Sequence, residues 1–313
     1  MSGGVFMFSN NEPQAPFGAL FEAVQRRNTI ADWMFYDVGA LSASEFALLS
    51  QQTNREVAIL VVEPADAGDS IRIQKFETFK AFRAEPGDLL RHFTIAGVGS
   101  SDVGAAAFGR TLANHLDAPV GAIVSGYGMA DILSEALGGW YFFGTSNRAL
   151  NLMTQVQQAF SDADHDRAES AEQGSRSATA ATFSPDTGTL LQLLSEEERH
   201  VETVLGHSKG CLSISYALRE IASRSDRSDF DRARDIDVIT TGAVIAFPEG
   251  LNRLKQYLGS LDWFGGMNSR SNLEYTSIPG AWHHLNTGIP MHMDLERVLA
   301  GEYAENAQSP AQW

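Results

Sequence analysis

Cysteine is nearly absent from this chain. Its 313 residues include one, Cys211, so no intrachain disulfide can form and nothing ties the protein to an oxidising compartment. Basic residues are scarce as well: 23 Lys and Arg stand against 39 Asp and Glu, a formal net charge of −16 with a pI near 4.8. That balance argues against nucleic acid, whose phosphates call for a basic face, and against docking on anionic lipid through a polybasic patch. Long apolar runs are missing too, and no stretch of about 18 residues is suited to spanning a bilayer. The opening MSGGVFMFSNNEPQ has neither the basic start nor the apolar run of a secretion signal. The expectation is a cytoplasmic protein with no transmembrane segment and no nucleic-acid partner.

What is present is ample core material, with 43% hydrophobic residues, arranged as buried runs alternating with helical stretches. Continuous apolar runs at 57–63, 92–96, 120–125, 201–205 and 238–246 read as strands buried on both faces. The alternating stretch 70–82 reads as an edge or antiparallel strand. Helices are expected at 105–116, 190–199 and 251–258. This pattern predicts an α/β fold, a mostly parallel central sheet with helices on both faces, formed by one domain over 1–313. A helical preface occupies 1–50. In it, Ser42 or Ser44 caps a short helix, and Trp33–Tyr36 form an apolar knot that packs on the main domain. A helical cap is expected over 129–200. It contains four consecutive aromatics, Trp140, Tyr141, Phe142 and Phe143, and a flexible insert at 161–189 that is rich in Ser, Ala, Asp, Glu, Thr and Gly.

The organising stretch is VETVLGHSKGCLSISYAL, Val201–Leu218. At its centre Gly206-His207-Ser208-Lys209-Gly210 fits G-x-S-x-G between a buried run and an amphipathic one, the context that presents a nucleophilic serine on a sharp strand–helix turn. The small flanking residues let the turn close, and the helix N-terminus behind the serine favours an oxyanion. A serine hydroxyl needs a base, and the base needs a group that holds its tautomer. In an α/β-hydrolase the chain order is serine, acid, histidine. Of eight histidines, four precede the turn and His207 lies inside it, which leaves His283, His284 and His292. Asp262, hemmed in by Leu261, Trp263 and Phe264, is the leading acid because a partly buried carboxylate needs a partner. Glu249 is the runner-up, and Asp237 reads as structural. The glycine-rich loop 97–104 is neither a P-loop nor a dinucleotide fingerprint. Its amides at Gly99, Ser100 and Ser101, with the Lys209 N–H, are candidate oxyanion donors, although the same glycines also suit a helix packed tightly on a strand. His207, Trp140, Tyr141, Phe142, Phe143 and Trp263 are candidate pocket residues.

The elbow GHSKG, the later LDWFG and the terminal IPGAWHHLN resemble the class 3 lipases, the α/β-hydrolase branch that includes fungal lipases and feruloyl esterases. The resemblance covers roughly Val201 to Asn286. It implies a serine-dependent carboxylic ester hydrolase acting on a lipid, acyl or polyester substrate without metal or cofactor. By its aromatic–x–His pattern, Trp282-His283-His284 places the base at His284, with His283 as the alternative; Ser208 is the nucleophile and Asp262 the acid. Two features depart from the family: Lys209 stands where an apolar residue is usual, and GVGSSD replaces the Arg-Gly-Thr type of loop. A thioesterase or acyltransferase would use the same residues, and a non-catalytic binding protein on the same fold is the competing class.

Overall fold

The computed structural model describes residues 32–51, 57–66, 68–85, 90–97, 100–125, 184–270, 272–303 and 307–308. Residues 1–31 of the preface, the aromatic stretch with Trp140, Tyr141, Phe142 and Phe143, and positions 161–183 of the insert lie outside them.

Among the described residues nine strands form one sheet: β1 (Ile59–Val62), β2 (Ile73–Phe76), β3 (His92–Ile95), β4 (Val120–Ile123), β5 (Thr203–His207), β6 (Asp237–Thr241), β7 (Leu254–Gly259), β8 (Tyr275–Ile278) and β9 (Ala307–Gln308). Their spatial order is β2-β1-β4-β3-β5-β6-β7-β8-β9. The run from β4 through β8 is parallel throughout. β1 is antiparallel to both β2 and β4, and β9 is antiparallel to β8. The apolar runs read as doubly buried are the central strands, as a parallel sheet covered on both faces requires.

Helices among the described residues include α1 (Ala43–Gln51), α2 (Phe79–Ala84), α3 (Asp102–Leu116), α4 (Pro185–Leu194), α5 (Lys209–Ser223), α6 (Ser228–Ala233), α7 (Trp263–Met267) and α8 (Leu295–Leu299). Successive strand residues face opposite ways, so the sheet feeds two cores. Leu60, Val62 and Val120 pack with Phe108 and Leu112 of α3 and Leu295 of α8. Ile59, Phe93 and Val204 pack with Leu190 of α4, Ile214 and Leu218 of α5 and Phe230 of α6. From β3 the chain goes to β4 on one side, and it later returns to β5 on the other. The helices after β3 and β5 therefore start on opposite faces, so the carboxyl ends of these two strands form the topological switch point, the usual ligand position in such sheets.

Four expectations change. Residues 251–258, read as a helix, contain β7 instead. Leu, Lys and Gln favour a helix, but the slot between β6 and β8 overrides that preference, and buried Gln256 accepts the Ile245 N–H at 2.8 Å. The strand expected over 70–82 stops at Phe76. Thr78 then caps α2 by accepting from Ala81 N at 3.1 Å, and the threefold spacing of Phe76, Phe79 and Phe82 serves a helix as well as a strand. The insert read to 189 ends earlier, because α4 begins at Pro185, in the first turn where proline fits. The strand read to Ala246 ends at Thr241, where Gly242 turns to φ +73°.

One carboxylate ties α1 of the preface to the sheet and to α3. Ser42 and Glu45 form a capping box at the start of α1, with bonds of 2.9 and 3.2 Å. Buried Glu45 also accepts from Arg72 N at 2.9 Å and from the guanidinium of Arg110 on α3 at 2.5 Å. Removing the carboxylate would strand a buried cation. Glu45→Ala should therefore lower the unfolding free energy by about 3–5 kcal/mol, read by urea denaturation.

Candidate active site

Ser208 sits between β5 and α5 at φ 53° and ψ −117°, a backbone region that costs a non-glycine residue about 1–3 kcal/mol. The surroundings over-determine it. Ser208 N donates to Thr241 O on β6 at 2.9 Å, and Cys211 N returns to Ser208 O at 3.1 Å. Gly210 packs flat on β3, where an added Cβ would collide with the Ile95 carbonyl oxygen, and a Cβ at Gly206 would lie 2.6 Å from Ile214 Cδ1. Both glycines of the motif are thus required by close approach. The Ser208 Cβ lies beside Gly97 at the end of β3; a Cβ added there would be 3.3 Å from it. The serine stands at the switch point between β3 and β5.

Asp262 and His283 meet across the ends of β7 and β8. Asp262 Oδ2 accepts from His283 Nδ1 at 2.8 Å, and Oδ1 accepts from Gly265 N at 2.6 Å in the first turn of α7. Both residues are buried, so the carboxylate has partners for both oxygens. With the proton of neutral His283 held on Nδ1, its Nε2 presents a lone pair. Phe264 packs edge-on to this ring, centroids 4.7 Å apart, as does Phe35 at 5.9 Å. The ring that meets Asp262 is that of His283, the alternative base, and not that of His284. The two neighbours diverge: His284 Nε2 bonds the Pro290 carbonyl at 3.1 Å, its buried Nδ1 has no hydrogen-bond partner among the described residues, and burial lowers its pKa.

The expected oxyanion donors also change. Ser101 N and Oγ both donate to the Asp32 carboxylate, Ser100 N donates to Gly97 O at 3.3 Å, and Gly97 N donates to the Tyr36 hydroxyl at 2.5 Å. Ser100 and Ser101 are therefore engaged within the protein, and Gly99 lies outside the described residues. Lys209 supplies the first amide of α5, in the turn whose N–H groups lie beyond the helix's own ladder. Its ammonium is 4.0 Å from Asp186 Oδ2, and that carboxylate also accepts from Ser125 and Ser213. A buried anion thus accommodates the charge at this unusual position.

His207, a candidate pocket residue, faces the protein interior. It is buried under the turn, its ring centroid 4.9 Å from that of His283, and burial pushes its pKa down to about 3. Trp263 is 64% exposed beside Asp262. Tyr36 and Asp32 play parts that only the apolar knot at Trp33–Tyr36 hinted at. Among the described residues no group of His, Cys, Asp and Glu could hold a metal ion, and no helix is long and apolar enough to cross a membrane.

Comparison of the chain with protein-family models, with curated proteins and with solved structures finds no match.

Two predictions follow from the turn and its support. The Ser208 dihedrals mirror an extended conformation, which glycine adopts freely. Ser208→Gly should therefore be more stable than Ser208→Ala by about 1 kcal/mol, by chemical denaturation. Burial raises the Asp32 carboxyl to about 7, against the bonds from Ser101. Because the folded pKa exceeds the unfolded one, the folded state holds the extra proton between about pH 4 and 7, and the Asp32 contribution weakens as pH rises through that window. The stability of the wild type relative to Asp32→Asn should then fall by on the order of 2–4 kcal/mol from pH 4 to 7 and level off above it.

Proposed function

We propose that this protein is an α/β-hydrolase-fold serine hydrolase that cleaves carboxylic esters, akin to the class 3 lipases that its elbow, aspartate and histidine segments resemble. The observation that carries the reading is the buried Asp262–His283 pair, 2.8 Å apart, on the same sheet edge as a serine held at φ 53°. A strained serine facing a helix N-terminus and an oriented imidazole are the two parts that make a hydroxyl nucleophilic.

In this mechanism Ser208 Oγ forms a bond to the ester carbonyl carbon while His283 Nε2 takes its proton. The carbonyl π pair moves onto oxygen, where the Lys209 N–H stabilises it. When the tetrahedral intermediate collapses, the C–O bond to the alcohol breaks and His283 returns the proton to the departing oxygen. Water then repeats the sequence on the acyl-serine, releasing the acid and restoring the hydroxyl. Asp262 keeps the proton on Nδ1 and stabilises the transient imidazolium. Large apolar side chains are exposed on the loops that carry these groups: Trp263 and Leu261 around Asp262, and Met291 and Trp33, whose carbonyls bond Trp282 and Asn286 beside His283. Such a rim suits an apolar acyl or alkyl group.

A fluorophosphonate probe tests the reading. Wild type should be labelled covalently and Ser208→Ala should not; an unlabelled wild type, or labelling that survives the substitution, overturns it. With a p-nitrophenyl ester, His283→Ala should lower kcat by about a thousandfold or more, and His284→Ala by no more than about tenfold. The reverse order would remove the base assigned here.

A further inference from the structure

The proposed catalytic residues follow β5, β7 and β8, and one short segment touches the end of β5 and the loops after β3 and β8. Residues 32–37 cross the carboxyl edge of the sheet. At one end the Asp32 carboxylate receives Ser101 N and Oγ of the loop after β3. At the other, Trp33 O accepts from Asn286 Nδ2 at 2.5 Å, Phe35 O accepts from Leu285 N at 2.7 Å, and Asp37 accepts from Thr287 Oγ1 at 2.6 Å. Those three donors lie two to four residues after His283.

Between the two ends, Tyr36 reaches under the serine. Its hydroxyl is 2.9 Å from His207 Nδ1 and 2.5 Å from Gly97 N, and His207 Nε2 is 2.9 Å from the carbonyl oxygen of His283. The directions of these bonds are fixed. A carbonyl only accepts, so His207 carries its proton on Nε2. Its Nδ1, in a ring that burial keeps neutral, must then accept from the Tyr36 O–H. The phenol oxygen in turn accepts the Gly97 N–H. Each nitrogen in the chain has one role and one partner, and the Tyr36 hydroxyl both donates and accepts.

We infer that residues 32–37 are a strap that holds the catalytic loops in register, with Tyr36 as its positioning residue, acting on Gly97 directly and on the His283 backbone through His207. The inference rests on the serine-hydrolase reading and deepens it. Tyr36 and His207 touch no reacting atom. They set the distance between the Asp262–His283 pair and the turn that carries Ser208, and catalysis is steeply sensitive to that distance. Phenylalanine at position 36 keeps the ring packed on Phe108 and His207 while orphaning the Gly97 N–H and the His207 Nδ1.

The test compares wild type, Tyr36→Phe, His207→Gln and His207→Asn. Readouts are steady-state kinetics on a p-nitrophenyl ester, the rate of fluorophosphonate labelling, and thermal melting. Tyr36→Phe should stay folded, keep KM within about threefold, and lose about 10- to 100-fold in both kcat and labelling rate. Glutamine places its amide nitrogen near the position of the imidazole Nε2 and can still donate to the His283 carbonyl, whereas asparagine is too short to do so. His207→Gln should therefore outperform His207→Asn in kcat. A folded Tyr36→Phe with wild-type kcat and labelling rate, beside a wild type that labels at Ser208, overturns the strap while leaving the hydrolase reading intact. A wild type that never labels overturns both. If Tyr36→Phe does not fold, Thr287→Val cuts the exposed bond to Asp37 at the strap's far end. It should lower kcat by about threefold, and an unchanged kcat would then overturn the proposal.

Discussion

The close approach of Gly210 to the Ile95 carbonyl sets the geometry on which the site depends. It lets the first turn of α5 settle onto β3 rather than stand off by the thickness of a side chain. Ser208 is then left no room for ordinary dihedrals, and the hydrogen bond from its N–H to Thr241 O holds it at positive φ. The strain is sustained by packing on two neighbouring strands, β3 and β6. A strand order that brings β3, β5 and β6 side by side is therefore a condition for presenting the serine, and the parallel pairing of those strands places all their carboxyl ends at one edge.

Around that turn the polar groups are buried and their bonds are assigned one way. The Asp262 carboxylate divides its two oxygens between an imidazole and a helix-start amide, which fixes the tautomer of His283. His207 stays neutral and joins three loops by hydrogen bonds alone. Satisfied networks of this kind order a site more sharply than apolar packing, because each donor accepts only one arrangement. The buried Lys209–Asp186 pair follows the same logic on the opposite side of α5, where two serine hydroxyls complete the carboxylate's shell.

Much of this was legible from residues whose meaning is local. G-x-S-x-G, the β-branched runs and an aspartate among aromatics each carry their own physical reason, and the α/β sheet, the serine turn and Asp262 stand where those reasons put them. The choice between His283 and His284 was not local. Both belong to one short apolar segment, and only the position of β7 and α7 decides which ring meets Asp262. The helix expected at 251–258 failed similarly, since a central strand slot overrode the preferences of Leu, Lys and Gln. Asp32 and Tyr36 were invisible for a stronger reason: their partners, at Ser101, Gly97 and His207, lie far along the chain and share no motif with them.

The strap's longest contacts join residues 253 and 250 positions apart in sequence, Trp33 to Asn286 and Asp37 to Thr287. A chain that grows from its amino terminus completes the serine turn well before it makes the segment that closes those contacts. Loop closure over such a span comes late because its entropy is spent before any contact repays it. The serine and its glycine loop thus pass through synthesis without the imidazole and without the strap's anchors at residues 285–287. Under the proposed chemistry, reactivity is the final property the fold acquires, and a chain truncated before residue 283 would carry the whole motif yet remain inert.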